Sequence, residues 1–85
     1  KKIARIGLDL AKNIFQVHAV DGHGKVVHSK ALKRNKLLEY FSQCDPCLVG
    51  MEACSSAHHW ARQLKALGHD VRLMAPQFVT PYRKN

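Results

Sequence analysis

Between residues 3 and 32 the side chains alternate with a period of two, in three runs separated by short polar breaks. In residues 3–10, Ala4, Ile6, Leu8 and Leu10 share one face, and Ile3, Arg5, Gly7 and Asp9 share the other. Residues 14–20 repeat the pattern with Phe15, Val17 and Ala19 on a common face, and residues 25–32 make a third run. Such alternation belongs to strands, because successive side chains of a strand point to opposite faces. Asp21-Gly22-His23-Gly24 joins the last two runs with turn chemistry: glycine tolerates positive φ and Asp bonds its own backbone. The opening therefore predicts a three-strand antiparallel meander.

From Asn35 the period changes. Leu37, Leu38 and Phe41 give a short helix one apolar stripe, with Asn35 as its expected N-cap and Pro46 as its stop. Residues 47–52 (Cys-Leu-Val-Gly-Met-Glu) are uncharged until the last, which predicts a central strand buried on both faces. Ser55 is the expected cap of a second helix with Ala57, Trp60, Ala61, Leu64 and Leu67 as its stripe and Gly68 at C′. Residues 70–75 read as a fifth strand, and Pro76 and Pro81 flank an irregular end.

The resulting order, βββαβαβ, needs right-handed crossovers in its second half, so the later strands should run parallel. The expected fold class is α/β, a truncated ribonuclease H-like sheet of five mixed strands in the order 3-2-1-4-5 with two helices. The first and fourth strands would be parallel neighbours at its centre. Residues 1–85 are expected to be one partial domain, since helices that normally cover such a sheet do not follow. An uncovered sheet face or edge would favour self-association.

Fourteen Lys and Arg against six Asp and Glu give a net charge of +8. That excess on a small domain points to a polyanionic partner, and nucleic acid is the usual one. No apolar run approaches the roughly 20 residues of a membrane span, and the first dozen residues do not form a signal peptide. Three cysteines without an export signal fit a reducing cytosol. Cys44, Cys47 and Cys54 are expected to pack, although with His58 they also make a conceivable zinc set of no common spacing.

With so few acids, their positions matter. Asp9 lies near the end of the first predicted strand and Glu52 at the end of the fourth, each two residues after a glycine, as Gly7-Leu8-Asp9 and Gly50-Met51-Glu52. The glycine is the same-face neighbour of the acid, and its missing side chain is expected to leave room for an ion or phosphate. Adjacent parallel strands would bring both carboxylates to the carboxyl end of the sheet, where open α/β sheets place their ligands. Carboxylates about 4 Å apart repel by roughly 4 kcal/mol at an effective dielectric of about 20. A divalent cation between them relieves this, and Mg²⁺ (or Mn²⁺) suits two hard carboxylates and the phosphates of a substrate. Asp9 and Glu52 are thus the candidate catalytic and metal-binding residues. Such sites usually take three or four acids, and Asp21, Asp45 and Asp70 look like turn or strand-entry residues. His58 and His59 open the helix after Glu52, and Arg62 and Lys65 lie on its polar side. Lys12, His58, Arg62 and Lys65 are candidates for contact with a nucleic-acid backbone. Trp60 belongs to the core stripe and is not expected to stack on bases, and His18 has no assigned role.

Gly7-Leu-Asp9-Leu-Ala-Lys12, Leu48-Val-Gly-Met-Glu52-Ala-Cys54, Ser56-Ala-His-His-Trp-Ala-Arg62, Leu67-Gly-His-Asp-Val-Arg-Leu73 and Ala75-Pro-Gln-Phe-Val occur in this order. Together they resemble the DEDD-type insertion-sequence transposases, in particular the group numbered one-ten with its one-one-one-one branch. The resemblance covers nearly the whole chain. It implies the first part of a RuvC-like domain that binds Mg²⁺ through four acids, with Asp9 matching the first and Glu52 the second. The remaining two acids would follow the Lys84-Asn85 end, and a further domain with a serine nucleophile would come after them. It also implies a bacterial, cytoplasmic, nucleoid-associated recombinase that acts on DNA under a structured guide RNA, with homo-oligomers and no membrane. The 85 residues alone would bind metal weakly and lack activity. Two other readings compete. A basic nucleic-acid-binding module would have no chemistry. An actin-like ATPase or sugar kinase would want Gly, Ser or Thr just after the strand-end Asp, whereas Leu10, Ala11, Lys12 and Asn13 follow Asp9.

Overall fold

The computed structural model describes residues 2–11, 13–53 and 56–74. Lys12, Cys54, the expected Ser55 cap and the stretch from residue 75 onward, including Pro76 and Pro81, lie outside the described residues. The elements are β1 (Arg5–Asp9), β2 (Ile14–Val20), β3 (Val26–Lys33), a 3₁₀ turn (Arg34–Lys36), α1 (Leu37–Ser42), β4 (Leu48–Glu52), α2 (Ala57–Ala66) and β5 (Asp70–Met74). They build a five-stranded mixed sheet in the order β3-β2-β1-β4-β5. β1, β2 and β3 form the antiparallel meander, and β4 is parallel to both β1 and β5.

The alternation read from the sequence sets which face is buried. Ile6 is paired with Ala19 and with Val49, Leu8 with Val17 and Met51, and Val49 with Val71, so the apolar residues line up across the sheet. Leu37 and Phe41 of α1, and Ala57, Trp60, Ala61 and Leu64 of α2, belong with them to one buried cluster. Both helices therefore cover the same face. The edge of Phe15 meets Trp60 with ring centroids 5.3 Å apart. Leu8, Phe41 and Leu64 are fully buried, and each such side chain stabilises by about 1.5–3 kcal/mol.

Turns and caps follow local chemistry. Oδ1 of Asp21 accepts the amides of His23 and Lys25 at 2.9 and 3.0 Å, while Gly24 takes φ 83°. Gly68, at φ 96°, closes α2 as expected. Its amide bonds the Lys65 carbonyl at 2.9 Å and the His69 amide bonds that of Leu64 at 3.2 Å, the paired bonds of a Schellman motif. His69, buried directly after this turn, then ties the layers together. Its Nε2 donates to the Phe41 carbonyl at 2.8 Å, and its Nδ1 accepts the Cys47 amide at 3.2 Å.

Three expectations are corrected. Asn35 does not cap α1, because the chain leaves β3 into a 3₁₀ turn in which the Leu37 amide bonds the Arg34 carbonyl, and no side-chain cap occurs. Leu67 is 38% exposed and off the α2 stripe, since the helix ends at Ala66. β4 is central, but only Val49 and Met51 enter the core, and Leu48 on its other face is 37% exposed.

Candidate functional site

Asp9 is the last residue of β1 and Glu52 the last of β4. The two strands run parallel with Gly7 opposite Gly50 and Leu8 opposite Met51. Asp9 and Glu52 stand one step beyond that last pair, both on the face away from the helices, and adjacent strands lie about 4.8 Å apart. Both side chains are half-buried. Asp9 and Glu52, 43 positions apart in sequence, reach this relation because β1 and β4 share a register, which follows from matching Ile6 and Leu8 to Val49 and Met51 in the core.

Neighbouring strands extend the row. Gln16 lies across from Asp9 on β2, and Met74 lies across from Glu52 on β5. Neither was visible in the sequence, since a cross-strand partner shows only when the register is known. Gln16 Nε2 reaches toward Ser29 Oγ at 3.5 Å, and that hydroxyl pairs with His18 Nδ1 at 3.0 Å, so the open face near Asp9 carries a polar network.

The space expected beside Gly50 is filled. The methyl group of Met74 lies where a Cβ on Gly50 would stand. Met74 shares the open face with Glu52, and its flexible side chain folds back one step along the sheet. An ion or phosphate approaching Glu52 therefore meets a thioether on the β5 side and the β1 side is the more polar.

The other predicted contact residues divide. His58 and His59 are exposed on the first turn of α2, which begins five residues after Glu52. The His59 ring meets Trp60 edge-on at 5.0 Å. Arg62 and Lys65 are exposed, but Lys65 lies in the last turn of α2, about 12 Å along the axis from Ala57 at 1.5 Å per residue. The fold does not gather Lys65 with the acids.

Among the described residues no group of three or more His, Cys, Asp and Glu is arranged to hold a metal ion. Asp9 and Glu52 offer hard carboxylate oxygens, which fit Mg²⁺ as part of a larger set. Cys44 and Cys47 are free thiols, outside any disulfide, in half-buried positions. Burial pushes the Cys47 thiol up to about 11, and it raises that of Cys44 as well. Thiols held protonated are poor nucleophiles and poor metal ligands, so packing suits this pair. Burial likewise raises the Tyr40 hydroxyl, which bonds His28 Nε2 at 2.6 Å. No helix among the described residues is long and apolar enough to cross a membrane.

No protein-family model matches the chain. It is similar to a Pseudomonas aeruginosa protein named "Probable family 20 transposase", with 62% identity over 96% of this chain and 24% of that protein. It is 42% identical to the transposase for insertion sequence element IS1328 of Yersinia enterocolitica, over 98% of this chain and 25% of the relative. With the transposase for insertion sequence element IS1111A of Coxiella burnetii it shares 36% identity over its full length and 23% of the relative. The chain thus spans about a quarter of the length of these relatives, all of which are named transposases, two of them for insertion sequence elements.

Proposed function

We propose that this chain is the part of an insertion-sequence transposase that supplies the first two carboxylates of a ribonuclease H-like, RuvC-like domain. The observation that carries the reading is that Asp9 and Glu52 end adjacent parallel strands, one step past the Leu8–Met51 pair. The similarity to transposases supports it, and so does a charge of +8 suited to DNA. In the longer protein, Asp9 and Glu52 would hold Mg²⁺ or Mn²⁺ together with two further acids. Bound there, such an ion neutralises charge on a phosphodiester and activates the attacking oxygen. Asp9 and Glu52 fix the position of that charge, and Gln16 beside Asp9 holds the neighbouring surface polar. DNA is the substrate in this reading, a structured RNA guides it, and the cytoplasm of a bacterium is where it acts, with the protein assembled as a homo-oligomer.

The test is a Mn²⁺ titration of this chain followed by NMR. Weak, selective paramagnetic broadening around Asp9, Glu52 and Gln16 is expected, together with its loss in Asp9→Asn and Glu52→Gln. Broadening confined to other residues would sink the metal site. Binding of DNA that is indifferent to metal and to both substitutions would leave the reading of a basic module without chemistry. In the longer enzyme either substitution is expected to abolish strand cleavage while DNA binding persists.

A further inference from the structure

A second feature opens at the same end of the sheet. β2 starts there and β3 finishes there, and the Arg34 amide bonds the Asn13 carbonyl at 3.1 Å to prolong their pairing. The first turn of α2 meets this corner from the helix side. Between them lies an open, shallow groove of about 520 Å³ lined by Asn13, Ile14, Lys33, Arg34, Asn35 and Trp60.

The lining has two parts. Ile14, 44% exposed, supplies most of an apolar wall, and the Trp60 indole, only 6% exposed, adds the small part of its surface that stays open. Lys33 and Arg34 bring two positive charges to its border, while the surface that they, Asn13 and Asn35 present to it is almost wholly apolar. The Arg34 guanidinium lies over the Trp60 ring, 5.6 Å from its centroid, so a planar cation and an aromatic ring are stacked in one wall. Trp60 Nε1 is also one of two buried side-chain nitrogens among the described residues that have no hydrogen-bond partner. A buried donor left unpaired is costly and calls for an explanation.

We propose that this pocket receives one unpaired nucleotide of a nucleic-acid strand. Its phosphodiester is held by Lys33 and Arg34, and its base lies against Ile14 and the Trp60–Arg34 wall. Charge complementarity selects a polyanion, and an apolar wall with a guanidinium plane selects a base released from its stack. A duplex keeps its bases stacked inside and cannot fill such a wall. The pocket borders the sheet end that carries Asp9 and Glu52, so a strand seated in it would run toward the acids. In that respect the proposal rests on reading the acids as a site acting on nucleic acid.

Trp60 is the sole tryptophan of the sequence, so its fluorescence reports on the pocket directly. The chain is titrated in EDTA with a fluorescein-free thymidylate octamer and with a blunt duplex, and binding is followed separately by anisotropy of labelled strands. The single strand is expected to quench Trp60, and the duplex to bind without quenching. Lys33→Ala and Arg34→Ala should each weaken the quenching single strand by about tenfold, with the fold checked by circular dichroism. On the unsubstituted chain, amide shifts at Asn13, Ile14 and Asn35 are expected with the same octamer. Shifts confined to Arg62 and Lys65, equal quenching by duplex, or anisotropy-detected binding without quenching would each overturn the pocket. A chain that quenches normally but shows no Mn²⁺ broadening at Asp9 and Glu52 would refute the metal reading and keep the nucleotide pocket.

Discussion

Met74 at the end of β5 lays its methyl group over Gly50 of β4, in the place of the side chain that glycine lacks. Gly50 faces Gly7 across β1 and Arg72 across β5, so a side chain there has one flexible neighbour to displace. Gly50→Ala should therefore be tolerated: the Met74 tip swings aside, and removing glycine from a strand recovers about 0.5–1 kcal/mol. Urea denaturation is expected to show a change within about 1 kcal/mol. A loss well above that would mean that Met74 cannot move.

His69 is the buried tie between α1 and β4. Its ring takes the tautomer with the proton on Nε2, since a carbonyl can only accept and an amide can only donate. His69→Ala leaves the Cys47 amide without that partner and the Phe41 carbonyl with the weaker Cys44 amide at 3.3 Å, and an unsatisfied buried group costs about 1–3 kcal/mol. A loss of about 2–3 kcal/mol in denaturant midpoint analysis is expected, a large share of the stability of so small a domain. His69→Phe, which keeps volume but not the bonds, should lose nearly as much. If His69→Phe were neutral, the ring would matter only as filler.

Alkaline pH should weaken the fold through Cys47. Its thiol is raised from 9.0 to about 11, so the folded chain holds the proton more tightly than the unfolded chain. The resulting stabilisation is complete below about pH 9 and is lost as pH rises toward 11. Tyr40, also raised by burial, acts in the same direction. Thermal midpoints are expected to fall across that window, and Cys47→Ser should shallow the decline. Thiol reagents should label Cys47 slowly at pH 8, and rapid labelling there would contradict the burial.

The strand order was legible because the alternation in residues 3–32 and the stripes of α1 and α2 leave few ways to bury Ile6, Phe15, Val49 and Leu64 together. Asp9 and Glu52 could be paired from their positions at strand ends. What escaped depended on register or on a side chain's path. Gln16 and Met74 flank the acids only through pairing across strands. The corner pocket joins Ile14, Arg34 and Trp60 from separate elements. Asn35 is a good capping residue by type, but backbone bonds in the preceding 3₁₀ turn took that role. His69 gave one usable signal, since the residue after a C′ glycine often packs back against its helix.

Two carboxylates at neighbouring strand ends should cost stability when no cation is present. Glu52→Gln removes one charge and keeps the shape, so in EDTA at neutral pH it is expected to raise the thermal midpoint by a few degrees. Asp9→Asn should act in the same sense but less clearly, because Asp9 has an interaction of its own to lose. Millimolar Mn²⁺ should then raise the midpoint of the unsubstituted chain, since a ligand that favours the folded state stabilises it. It should not raise that of Glu52→Gln. The opposite ordering, with Glu52→Gln destabilised and Mn²⁺ without effect on either chain, would place the two carboxylates too far apart to sense one another.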